Sequence, residues 1–139
     1  RSYFKDLKND VLRLSKKCDY LILMLHDGGQ GNEKPIRRVL KNAKKLDRLT
    51  NKEMAIIYNH EHMIHEIKHS GKNIITFSIG NFVGANGTFI EPFDKNQEYS
   101  IGINIYLSDN EPKYSYVIFK NVIEDEKIKV KKVSEEFYV

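Results

Sequence analysis

Ala55-Ile56-Ile57-Tyr58-Asn59-His60-Glu61-His62 and, after a short gap, Ile74-Ile75-Thr76-Phe77-Ser78-Ile79-Gly80-Asn81-Phe82 decide the fold. Each piece is an apolar run that ends in polar, ligand-capable residues. Strands that deliver such residues at their C-terminal ends are how α/β folds build sites. His60 and His62 flank a single residue, so a bent backbone brings both to one place. Neutral imidazole is the commonest metal ligand. The same pair also suits a plain strand cap at the surface, because short histidine motifs match by chance.

Working outward, Cys18 to Leu25 is a near-continuous apolar run and reads as a strand buried on both faces. It ends in the glycine-rich stretch His26-Asp27-Gly28-Gly29-Gln30-Gly31. Phe4, Leu7, Val11 and Leu14 recur at helical spacing and predict an amphipathic helix over 2–17. Pro35 opens a second helix whose apolar face is Ile36, Val39, Leu40, Ala43 and Leu46. Strands are expected over 54–58 and 73–77, with a short helix over 63–69 that Gly71 ends. After Phe82 the pattern changes. Residues 84–98 read as a surface loop, and Ile101, Ile103, Ile105 and Leu107 alternate as in a strand with one buried face. Turns at 109–112 and 124–126 separate two further strands, 114–122 and 127–133. The fold class is therefore α/β: parallel βαβ strands followed by an antiparallel meander, in a single domain over 1–139 or part of one.

The chain of 139 residues is 40% hydrophobic and 30% charged, which fits an ordinary globular chain. Its net charge of +4 is mild. The basic pairs Lys16-Lys17, Arg37-Arg38, Lys44-Lys45 and Lys131-Lys132 are short and dispersed, so they read as solvated surface and not as a nucleic-acid face. Cys18 is the single cysteine, which excludes an internal disulfide and a cysteine-based zinc site. No run approaches the roughly 18 apolar residues that a membrane span needs. No signal peptide is visible. Because the chain opens with Arg1, the natural N-terminus is expected to lie elsewhere.

His26, His60 and His62 each follow a strand end, and adjacent parallel strands would set those ends side by side. Three imidazoles suit zinc, manganese or iron better than magnesium or calcium. The glycines after His26 either turn the chain or let backbone approach a bound anion closely. A rival motif overlaps this region. His65-Glu66-Ile67-Lys68-His69 matches the H-E-x-x-H of zinc proteases, in which two histidines one helical turn apart bind the metal and the Glu is the base. That motif needs a stable helix, and Gly71 follows too soon for one. No nucleophile motif, P-loop or dinucleotide fingerprint is present, and no catalytic residue is named. Asp94 and Glu98 read as solvent-facing.

Three segments together resemble a known family. Leu25-His26-Asp27-Gly28-Gly29-Gln30 resembles L-H-W-G-x-E, Tyr58-Asn59-His60-Glu61-His62 resembles G-H-H-P-H, and Ser78-Ile79-Gly80-Asn81-Phe82 resembles S-L-G-N-F. These are motifs of the CapA or PgsA type of bacterial capsule (poly-γ-glutamate) synthesis proteins, within the calcineurin-like metallophosphoesterase superfamily. The resemblance covers about residues 10–107. It implies the C-terminal half of an α-β-β-α sandwich, with His26, His60 and His62 as ligands of a divalent transition metal (Mn, Fe or Zn). Asn59, Asn81 and Gln30 would then support those ligands. The metal would serve hydrolysis of an anionic ester. The superfamily's carboxylates and its Asn-His pair come from an N-terminal half with no counterpart here. The resemblance therefore implies a partner: that N-terminal half, a second polypeptide or another copy of the chain. It also implies a place outside the cytoplasmic membrane, in the cell envelope. The departures at Tyr58, Asn59 and Gln30 support an alternative, a catalytically inactive binding or assembly module of a polymer-synthesis complex.

Overall fold

The computed structural model describes residues 3–29, 32–81, 98–108, 111–125 and 127–139. Helix α1 (Tyr3–Leu14) leads into strand β1 (Tyr20–His26), helix α2 (Arg37–Asp47) and strand β2 (Glu53–Asn59). Strands β3 (Ile67–Ser70) and β4 (Asn73–Thr76) complete a first sheet in the order β1-β2-β4-β3. β1, β2 and β4 run parallel, as the βαβ pattern predicts, and β3 is antiparallel to β4. Strands β5 (Tyr99–Tyr106), β6 (Lys113–Glu124) and β7 (Lys127–Lys132) form the expected antiparallel meander. The short β8 (Phe137–Tyr138), unforeseen in the sequence, pairs with Ser115 and Tyr116 of β6.

Alternation sorts the side chains of the first sheet into two layers. Leu21, Leu23, Leu25, Met54, Ile56, Tyr58 and Ile75 face the helices and pack with Val11 of α1 and Val39, Ala43 and Leu46 of α2. Ala55, Ile57 and Ile74 face the other way, against Tyr114 and Ile105 of the second sheet. Two bridges, Ile64 with Ile79 and Gly80 with Ser100, tie the chain after β4 to its neighbours. Ile101 N–H donates to Ile79 O at 2.9 Å across the same seam. The two sheets also meet where the Tyr20 and Tyr114 hydroxyls lie 2.8 Å apart. No described helix is long and apolar enough to cross a membrane.

Two expectations are corrected. β1 is not buried on both faces: Ile22 and Met24 are 53% and 74% exposed, because β1 is an edge strand whose second face meets the meander only at Tyr20. The segment 63–69 is not a helix. Its end forms β3, closed onto β4 by a two-residue turn with Gly71 at φ 59°. A positive φ at the first central residue is what such hairpin turns require, and glycine adopts it freely. α2 begins at Arg37, two positions after Pro35, and Leu40 of its expected apolar face is 41% exposed. The loop over 84–98 lies outside the described residues except for Glu98.

Candidate metal centre at the strand ends

β1 and β2 are in register over their full lengths, with Leu25 beside Tyr58 and His26 beside Asn59. Pairing continues one step further, as Asp27 N–H donates to Asn59 O at 3.0 Å. The two strand ends are thus locked together where the histidines begin. Beyond them the chain turns sharply. His60 has φ 142° and His62 has φ 62°, two of the three non-glycine residues with positive φ among the described residues. Such backbone costs about 1–3 kcal/mol per residue and persists where the surroundings over-determine it. Asn59 supports the turn through its own Oδ1, which accepts the His60 N–H at 2.9 Å.

The turn presents the imidazoles in a defined order. His60 Nδ1 and His26 Nε2 are 2.9 Å apart, with the rings edge to face and their centres 4.6 Å apart. The His62 ring centre lies 6.4 Å from that of His60. His62 Nδ1 is 2.5 Å from Asn81 Oδ1. A carboxamide oxygen only accepts, so His62 Nδ1 donates, and in the neutral ring Nε2 is the nitrogen left to ligate. That is how an outer carbonyl fixes the ligating tautomer of a histidine. Asn81 is held in turn, because Asn121 Nδ2 of β6 donates to Asn81 O at 2.5 Å.

Among the described residues, no group of three or more His, Cys, Asp or Glu side chains gathers where it could hold a metal ion. The pair His26 and His60 nevertheless suits one. Two imidazole nitrogens bound tetrahedrally to one zinc at about 2.0–2.1 Å sit about 3.3 Å apart. A small opening of the 2.9 Å contact reaches that spacing. The residues present thus fit an incomplete set of nitrogen ligands and contribute no carboxylate to it.

The family model for bacterial capsule synthesis protein PGA_cap matches residues 2–86, more than half of the chain. This chain belongs to that family. No curated protein matches it, and no solved structure does. Membership in the capsule-synthesis family ties the chain to capsule synthesis and so to the cell envelope. The match covers α1 through β4 and both strand ends that carry the histidines.

The structure scatters the rival zinc-protease motif. His65 is buried, and its Nε2 donates to Asn32 O at 2.8 Å. Glu66 is exposed, and His69 lies on β3 with its ring edge-on to Tyr114 at 5.6 Å. The helix that the H-E-x-x-H arrangement requires is absent here, since an extended strand replaces it. Gln30 and Phe82 lie outside the described residues. Asp27, where the family motif has Trp, pairs with Arg38 of α2 at 2.6 Å and so fastens the loop after β1 to that helix. Tyr58 fills the helix-side core and stacks on Phe77. Burial first, and then the nearby Asp27 charge, push its hydroxyl well above the usual tyrosine range.

Sequence reasoning missed two residues of the site. Asn121 is 1% exposed on a strand that its bounding turns alone had located. Glu61, also 1% exposed, looked like a spacer between two histidines, yet its Oε1 accepts the Gly29 N–H at 2.8 Å. A polar residue at an inward strand position is the signal that could have found Asn121. It becomes visible once the register of β5 and β6 is known.

Proposed function

We propose that this chain supplies the imidazole part of a metal site in a metallophosphoesterase-like domain of a capsule-synthesis protein. The observation that carries the reading is the meeting of His26 and His60 at paired strand ends, with the His62 tautomer set by Asn81. His26, His60 and His62 would hold a divalent transition metal (Mn, Fe or Zn), with Asn59 and Asn81 keeping the turn and the ring in place. When bound, such an ion polarises an anionic ester and lowers the pKa of a water. Carboxylate ligands would come from an N-terminal half of the same domain or from a second polypeptide, acting outside the cytoplasmic membrane. An anionic ester tied to a capsule polymer such as poly-γ-glutamate is the substrate class that fits.

The test is metal analysis of the protein purified together with its N-terminal half. Transition metal is expected in the wild type and lost in the His60→Ala, His62→Ala double variant. Equal metal in both, or none in either, would sink the reading. The second reading is a non-catalytic assembly module. It is favoured by the lack of a converged ligand set among the described residues and by the departures at Tyr58 and Asn59. Metal-dependent hydrolysis of an aromatic phosphodiester by the completed domain would exclude it.

A further inference from the structure

The turn that carries His60 and His62 holds a third side chain that metal binding leaves unused. Glu61 is buried between two less buried imidazoles. Its Oε1 accepts the Gly29 N–H at 2.8 Å, and its Oε2 is buried with no hydrogen-bond partner. Gly28 lies flat against the same carboxylate. A Cβ at Gly28 would sit 2.4 Å from Glu61 Oε1 and 2.8 Å from Cδ, so any other residue there would force the carboxylate to shift.

Stability does not explain such a residue. A buried carboxylate with one oxygen unsatisfied is costly, and a well-packed apolar side chain is commonly as stable or more so. Buried unsatisfied groups in folded proteins call for another reason, and a strained functional turn is one. The placement supplies that reason. Glu61 directly follows His60, while Gly28-Gly29 come just after His26. One side chain therefore couples the two segments that bring the imidazoles together. It also sits between the two positive-φ residues of the turn.

We infer that Glu61 is a positioning residue, whose carboxylate pins the Gly28-Gly29 loop to the histidine turn and so holds His26 and His60 at their contact distance. Its relevance to a metal rests on the proposed function, but the clamp itself has a readout without one. In the isotope-labelled full chain, the carbon-bound ring protons of His26 and His60, whose ring centres lie 4.6 Å apart, should give a nuclear Overhauser signal by NMR. Glu61→Ala should abolish that signal and weaken Zn2+ binding, measured by calorimetry, by about tenfold or more, as loss of an outer support does. Glu61→Gln keeps an oxygen for the Gly29 N–H and should retain both, within about threefold in affinity. Gly28→Ala attacks the contact from the other side and should match Glu61→Ala, which keeps the test open if that variant does not fold.

A wild type without the signal, or a folded Glu61→Ala or Gly28→Ala variant that keeps it, overturns the clamp. Loss of the signal in a chain that binds no Zn2+ by itself upholds the clamp and makes metal binding depend on the N-terminal half. Zn2+ binding with signal and affinity untouched by both variants rejects the clamp alone.

Discussion

At the scale of single residues, the site depends on amides that the histidines themselves do not reveal. Asn121 reaches from the second sheet to Asn81 O, and Asn81 Oδ1 orients His62. The chain of contacts joins the meander to the candidate ligands. Asn121→Ala removes that hydrogen bond to Asn81 O, a loss of about 0.5–1.5 kcal/mol. The substitution also removes Asn121 Oδ1, which is buried with no partner. That relief offsets part of the loss, so a net cost below about 1 kcal/mol is expected, read from the urea midpoint. Gly80→Ala should cost more. Gly80 has φ 75°, and a Cβ there would lie 2.3 Å from Tyr99 O, a backbone atom that cannot swing away. Strain and clash together should remove at least about 2 kcal/mol, and a variant as stable as the wild type would contradict the packing at this seam. The sequence showed His26, His60 and His62 because imidazoles after apolar runs are conspicuous. It hid Asn121 and Glu61, whose roles depend on which segments meet across the fold.

At the scale of elements, apolar runs and turn residues located β1, β2, β4 and the meander, since those signals are local. The strand β3 was not legible. His65-Glu66-Ile67-Lys68-His69 has a helix-compatible pattern, and its true state is set by pairing with β4 through the Gly71 turn. Tertiary pairing overrides weak local propensity in so short a segment. The β6–β7 hairpin offers a test of a different kind. Near its turn Glu124 accepts from Lys129 at 2.9 Å and also from Lys131. The Lys131 contact first, then that of Lys129, lowers the Glu124 pKa from 4.5 to about 2. A carboxylate with a depressed folded pKa stabilises the folded state above its unfolded value and loses that contribution as pH falls through the folded one. Amides of β7 should therefore lose exchange protection between pH 4.5 and about 2. Lys131→Gln should move that loss to higher pH. Because these charges are exposed, high salt should mute the effect. Protection that stays flat across this range at low salt would remove Glu124 from the account.

At the scale of the whole molecule, the error about β1 is the informative one. Tyr20-Leu21-Ile22-Leu23-Met24-Leu25 looked doubly buried because both of its faces are apolar. One face packs on the helices, while Ile22 and Met24 remain 53% and 74% exposed. They share that face with His26, so the uncovered strip runs up to the candidate ligands. β1 is also the edge of its sheet, and no described strand pairs with its outer side. Apolar edges of this kind invite another chain. An N-terminal half that brought carboxylates to His26 would cover this strip on the way. Burying what Ile22 and Met24 now expose would contribute about 3 kcal/mol, or about two powers of ten in affinity. The double variant Ile22→Thr, Met24→Glu should leave thermal stability of the isolated chain within about 0.5 kcal/mol, since both positions are solvated in it. In sedimentation experiments with the N-terminal half, or at high concentration of this chain alone, the wild type should associate and the variant should not. Association that the variant retains would place the partner surface elsewhere, and a wild type that stays monomeric under both conditions would leave the strip without a role in assembly.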